Sequence, residues 1–442
     1  MIEPSKIKTS AEQVRRKDIK PVFSVVLRDG GLAEMVYNPD EQKSRFAIWR
    51  DGVVSYEKQI QNGKELCVPY SAKNSLIENE VILVPSEAKE YGSEEELIAR
   101  ISGFLHHYMD ISPVFEKLAS YYVLLTWIYD GFNELPYLRV QGDAGSGKTR
   151  FLIMVGSLCY KPIFASGAST VSPLFRILDA CRGTLIIDEG DFRLSDEKTE
   201  IIKILNQGHA RGFPVLRSES DNKREFSPRA YQVFGPKIVA TRGLFEDRAL
   251  ESRCLTELLG GRRLREDIPI NLSEDYKSEA LGIRNQLLMF RFHSYGKIRP
   301  ASWIDRNLEP RLNQVFAPLM SVIEDAQARQ DLQAMAHHYQ KQLVSDRSVD
   351  AEAQLLEIIQ ELETSFSGRE LGIKDLTGRF IQKYEDEYDR KITPRWIGFL
   401  IRQKLGLGTE RHRGGYVIAS SEKAKFPRLY EKYGLTEPQE AD

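Results

Sequence analysis

The chain has 442 residues, of which 41% are hydrophobic and 29% charged, with 62 Lys and Arg against 64 Asp and Glu for a net charge of −2. That is an ordinary globular composition, with length for two to four domains of roughly 150 residues each. The charge balance neither suggests nor excludes a nucleic-acid partner, because a local basic groove is hidden in a global sum. The four cysteines, Cys67, Cys159, Cys181 and Cys254, are far apart and form no CxxC pair. This speaks against a zinc centre or a disulfide framework. The first twenty residues lack the apolar core of a signal peptide. The longest apolar stretch, Tyr121–Tyr129, falls far short of the roughly 20 residues needed to cross a membrane. A cytoplasmic protein without a membrane partner is expected.

Residues 1–90 read as a β-rich N-terminal domain. The runs Val22–Leu27, Phe46–Trp49, Val53–Tyr56 and Val81–Val84 are separated by Asp29-Gly30-Gly31, Asn38-Pro39-Asp40, Asp51-Gly52 and Asn62-Gly63. These are turn signals between short strands. From about 93 to 131 the apolar spacing becomes helical, with Leu97, Ile101 and Leu105, then Phe115, Leu118, Tyr122 and Leu125. Strands and helices alternate from Leu135 to about Leu259, the pattern of a parallel sheet covered on both faces. Residues 273–345 read as helical again. A small domain follows over 350–420, and 421–442 is a charged tail expected to be partly disordered.

Chemistry concentrates in two places. Tyr137–Gln141 is a short strand, followed directly by GDAGSGKT at Gly142, Asp143, Ala144, Gly145, Ser146, Gly147, Lys148 and Thr149, then by the apolar helix Phe151–Leu158. In this context the glycines let backbone N–H groups surround phosphate oxygens, and the helix N-terminus adds partial positive charge. Lys148 would neutralise the β and γ phosphates of ATP, and Thr149 would offer its hydroxyl to Mg²⁺. The second place is GTLIIDEG, Gly183–Gly190, a buried-type strand that ends in two carboxylates. Asp188 suits the metal and Glu189 suits the role of general base toward water. A DE pair after a strand is common by chance, but not after such a loop.

Three further features narrow the class. The buried-type strand Lys237–Thr241 resembles the extra strand that additional-strand ATPases place between the P-loop strand and the acidic strand, which implies that Thr241 at its tip is a sensor-1 hydroxyl that orients the lytic water. The triplet Ser252-Arg253-Cys254 resembles the SRC motif of AAA+ clamp-loader subunits. That resemblance implies that Arg253 reaches a neighbouring subunit's ATP as an arginine finger, with Arg248 in reserve. Arg311, early in the helix Leu308–Met320, matches by position a sensor-2 arginine of an AAA+ lid. Together these residues make 91–345 resemble an AAA+ ATPase domain, an α/β P-loop core with a helical lid, and a trans-acting finger implies an oligomer.

Two features point to DNA. Gly212–Arg217 and Glu225–Phe234 read as a β-hairpin just before the Thr241 strand, with Lys223 and Arg224 at its tip. This resembles the presensor-1 hairpin of superfamily 3 and minichromosome maintenance helicases, which implies DNA, single-stranded in the pore of a hexameric ring. A basic tip is otherwise a solvated turn. Helices at 351–366, 373–384 and 394–405, then a basic hairpin at Arg411–Ile418, resemble a winged helix. Arg395, Arg402, Arg411 and Arg413 are its candidate phosphate contacts. The whole resembles a replicative helicase of mobile elements or prophages. Two alternatives stay open: an AAA+ initiator or helicase loader, and a signalling or defence ATPase whose winged helix packs internally as a brake.

Overall fold

The computed structural model describes residues 19–166, 170–188, 196–220, 226–261, 264–297, 303–348, 350–365, 370–388, 391–412 and 415–435. The chain forms two compact units, Met1–Gln333 and Ala334–Asp442.

The first unit opens with seven short strands: β1 (Ile19–Val22), β2 (Ser24–Val26), β3 (Leu32–Asn38), β4 (Lys43–Arg50), β5 (Val53–Glu57), β6 (Ile60–Asn62) and β7 (Glu65–Pro69). An antiparallel sheet has the order β2-β3-β4-β5, and a second sheet has the order β1-β7-β6. Strand β3, LAEMVYN, carries no alternating signal because its first five residues are all buried. A strand covered on both faces loses the period of two that marks a half-exposed one. Val81–Val84, expected as a strand, makes only an isolated bridge from Ile82 to Ile163.

Helix α1 (Ser75–Glu78) is a single turn. Helix α2 (Glu94–Tyr108) is capped by the Ser93 hydroxyl, which accepts from the Glu96 N–H at 3.1 Å, and it buries Leu97, Ile101 and Leu105 as their spacing predicts. Helix α3 (Pro113–Trp127) starts on a Ser112 cap with Pro at its first position, where the missing N–H costs nothing.

A five-stranded sheet follows: β8 (Tyr137–Gln141), α4 (Lys148–Leu158), β9 (Ile163–Ser166), α5 (Val171–Cys181), β10 (Leu185–Asp188), α6 (Asp196–Gln207), the hairpin β11 (Val215–Ser220) and β12 (Phe226–Tyr231), β13 (Lys237–Thr241), α7 (Arg248–Glu251) and β14 (Cys254–Leu258). The strand order is β14-β8-β13-β10-β9, and every pairing is parallel. Strand β13 therefore lies between β8 and β10, the position expected of the Thr241 strand. Helices α8 (Asp275–Ser294) and α9 (Pro310–Met320) complete the unit, and α10 (Ala326–Ser348) runs across the unit boundary.

One apolar core joins the N-terminal strands to the central sheet, with Phe23, Met35, Phe46 and Ile48 in the same cluster as Ile163, Leu174 and Val239. Buried charge makes the same junction. Glu34 of β3 pairs with Lys161 at 2.9 Å and with Arg291 of α8 at 2.8 Å, and Tyr160 donates its hydroxyl to it at 2.7 Å.

The second unit holds α11 (Ala351–Ser365), α12 (Ile373–Tyr384) and α13 (Pro394–Phe399), the last continued by a π turn to Lys404. The hairpin β15 (Thr409–His412) and β16 (Gly415–Ile418) follows, and Val417 bridges back to Gly372. Of the tail 421–442, expected to be partly disordered, residues 421–435 are folded and 436–442 lie outside the described residues. Helix α14 (Phe426–Lys432) sets Phe426 and Tyr430 into the core formed by Leu356, Phe380 and Ile401.

Candidate functional site

The glycine loop leaves β8 at Gln141 and enters α4 at Lys148. A side chain at Gly142 would meet the Leu259 carbonyl at 2.8 Å, so only hydrogen fits there. Gly147 caps α4 at φ +97°, a left-handed conformation that glycine adopts without strain. The turn presents the first N–H groups of α4, a ready anion cradle. Lys148 folds over the loop, its Nζ donating to the carbonyls of Gly142 and Asp143, both at 2.7 Å.

The acidic strand arrives two strands away in the sheet, yet its tip touches the loop helix. Thr149 Oγ1 donates to Asp188 Oδ2 at 2.7 Å. The two residues proposed for one metal ion are therefore in direct contact. Glu189, the proposed base, lies outside the described residues.

Thr241 ends β13 between these two strands, paired with Gln141, and its carbonyl accepts from the Gly142 N–H at 3.1 Å. Its hydroxyl is buried and, like Ser146 Oγ and Gln141 Oε1, has no hydrogen-bond partner among the described residues. Buried polar atoms are almost always satisfied. Three orphans around one glycine loop mark a place built for a polar ligand, and the donor set fits a polyphosphate with a hard divalent cation held by hydroxyl and carboxylate oxygen.

Beside the loop lies a cavity of about 390 Å³, walled by Tyr108, Met109 and Ile111 after α2, by Phe151 of α4, and by Leu264 and Ile268 beyond β14. Its largely apolar walls, opening next to the phosphate loop, suit a flat nucleobase. Sequence reasoning missed this wall. Apart from the glycine loop and the start of α4, its residues come from the segments 108–111 and 258–270, and neither carries a motif.

Arg253 lies at the other pole of the sheet. It precedes Cys254, which pairs with Tyr137, the first residue of β8. The glycine loop follows the last residue of that strand, about 13 Å away along it. Arg253 is buried: its Nη1 donates to Asn206 Oδ1, and Asn206 Nδ2 donates to Asp247 Oδ2 at 2.6 Å. Burial lowers its pKa, and the nearby Arg311 lowers it further. His209 belongs to the same cluster, its pKa pushed down to about 4 by burial and by Arg253, with Arg311 contributing. Arg311 thus stands near Arg253 rather than beside this chain's own loop. Arg248, by contrast, is exposed at the start of α7.

The hairpin β11–β12 pairs in antiparallel register from Val215↔Tyr231 to Ser220↔Phe226. Arg217 holds it to the sheet's helices through Glu200 and by stacking over Phe175 at 4.6 Å. The tip residues Lys223 and Arg224 lie outside the described residues. In the second unit, Arg395, Arg402 and Arg411 are exposed. Arg402 also reaches Thr409 at 3.4 Å. Arg413 lies outside the described residues.

No family model matches the chain, and no curated protein matches it. Among solved structures, the A-form apo structure of the NrS-1 C-terminal region is 10% identical with a TM-score of 0.37, covering 88% of this chain and 96% of that one. SCCmec type IV Cch, described as an active helicase, is 11% identical with a TM-score of 0.40, covering 92% and 80%. Likeness this loose lends no weight to any function. No helix among the described residues is long and apolar enough to cross a membrane.

Proposed function

We propose that this chain is an AAA+-type ATPase that hydrolyses Mg-ATP as a ring, hexameric by resemblance, and moves on single-stranded DNA. The observation that carries the ATPase reading is the meeting of Thr149 and Asp188 beneath the glycine loop, with the Thr241 strand inserted between theirs.

Gly142–Thr149 hold the phosphates, and the apolar cavity beside them takes the base. Thr149 and Asp188 would hold Mg²⁺, which would supply charge neutralisation at the phosphates. Lys148 exchanges the carbonyls of Gly142 and Asp143 for phosphate oxygens. Glu189 takes the proton of the attacking water, and the otherwise unpartnered Thr241 hydroxyl orients that water. Arg253 and Arg311 share the pole opposite their own loop, so they reach a γ-phosphate in a neighbouring subunit. Because Arg253 is tied to Asn206, the exposed Arg248 is the second candidate for that reach. Arginines of this kind are worth about 10³–10⁵ in rate.

DNA enters the reading through the hairpin, which follows the acidic strand and precedes the Thr241 strand in the chain and is held through Arg217 to α5 and α6, the helices on either side of the acidic strand in sequence. Lys223 and Arg224 would grip phosphates, and the three helices and hairpin of the second unit would add a winged-helix contact through Arg395, Arg402, Arg411 and Arg413. An initiator, loader or signalling ATPase would share the ATP site without needing the hairpin tip. Steady-state ATPase rates with and without single-stranded DNA separate these readings. Stimulation in the wild type that disappears in Lys223→Ala/Arg224→Ala supports translocation. A rate indifferent to DNA in both proteins contradicts it.

A further inference from the structure

A second cavity, of about 260 Å³, lies on the flank of the first unit between the segment after α1, the loop helix α4 and helix α8. Leu83, Ile153, Phe164, Tyr276 and Ala280 give it apolar walls. Lys277 stands at its rim, paired with Glu80 at 2.8 Å and Glu274 at 2.9 Å, so that cation is already neutralised.

Arg284 is different. It lines the cavity, is 6% exposed, and makes one hydrogen bond, from Nη1 to the Ser157 carbonyl at 2.7 Å. Its Nε has no partner, and no carboxylate pairs with it among the described residues. Arg139 and Arg291, buried to a similar degree, hold Glu251, and Glu34 with Asp130. Burying a guanidinium without a counter-charge costs several kcal/mol. That cost shows in its pKa, which burial lowers to about 10 even though the Glu80 carboxylate on the same cavity wall, itself paired with Lys277, acts against the fall. A planar fork of donors with one carbonyl for company matches an oxyanion.

We infer that this cavity binds a small organic oxyanion, an apolar body carrying a carboxylate or phosphate, with Arg284 as the anion's partner. The site is separate from the glycine loop. Through Ile153 and Ser157 it adjoins the helix whose first turn carries Lys148 and Thr149, so its occupant stabilises the ATP-site helix from behind.

Thermal unfolding of the full chain with benzoate, phenyl phosphate and the neutral benzyl alcohol tests this. The expected result is a saturable rise in Tm with at least one anion and none with benzyl alcohol. A response to benzoate alone assigns a carboxylate, and one to phenyl phosphate alone a phosphate. The rise should vanish in Arg284→Met and in the cavity-narrowing Leu83→Phe, and persist in Lys148→Ala. If Arg284→Met does not fold, Leu83→Phe decides. The inference is overturned if neither anion raises Tm, if benzyl alcohol does so equally, or if the rise survives these substitutions. It is also overturned if only Lys148→Ala abolishes the rise, which would place the anion on the glycine loop.

Discussion

Thr149 and Asp188 are 39 residues apart in sequence and 2.7 Å apart in space, hydroxyl to carboxylate. The contact joins the first turn of α4 to the tip of β10 across a strand that belongs to neither. It places the hydroxyl and the carboxylate where one hard cation can take an oxygen from each. Every element of the proposed ATP site is arranged around this pair.

Thr241 offers a separation of stability from activity. Its hydroxyl is buried and unpartnered, so Thr241→Val removes a desolvation penalty of about 1–3 kcal/mol. The variant should unfold at an equal or higher temperature than the wild type, while kcat falls about 10-fold or more if the hydroxyl orients water. A loss of stability with unchanged turnover would assign Thr241 to the core alone.

Glu34 should matter as much as any apolar core residue. It is the shared counter-ion of Lys161 and Arg291, all three nearly inaccessible to solvent. Glu34→Ala leaves two buried cations less compensated, and removing one partner of a buried pair costs about 3–5 kcal/mol. Urea unfolding of wild type and variant measures the difference. A change below about 1 kcal/mol would show that Asp130 and Tyr160 suffice.

The opposite-pole placement of Arg253 can be tested by mixing. Arg253→Ala and Lys148→Ala should each be nearly inactive alone. Mixed subunits should regain activity, because an intact loop from one then meets an intact arginine from the other. Mixtures no more active than the separate variants would confine Arg253 to its tie with Asn206 and turn attention to Arg248.

The parts legible in the sequence were those whose physics is local. A strand, a glycine turn and a helix are contiguous at Tyr137–Leu158, and the buried run before Asp188 needs no distant residue to be recognised. Strand β3 was illegible because burial on both faces erases alternation and because Glu34, a charge in its middle, is satisfied by Tyr160, Lys161 and Arg291, 126, 127 and 257 residues later. The cavity wall beside the glycine loop was hidden because the segments 108–111 and 258–270 meet the loop only in the folded chain. Helix α14 was hidden because Phe426 and Tyr430 are sparse apolar anchors in a charged stretch, and only the packed core shows that two suffice.

The central claim is that the pair Asp188 and Glu189, set against Lys148 and Thr149, turns over ATP. The most direct measurement follows ATP binding and steady-state hydrolysis together in the wild type and in Glu189→Gln. The account predicts Mg²⁺-dependent turnover in the wild type. It predicts that Glu189→Gln binds ATP with similar affinity but hydrolyses it about 10²–10⁴-fold more slowly, the span of a lost general base. Wild-type protein that binds ATP without turning it over, or a Glu189→Gln variant as fast as the wild type, would contradict it.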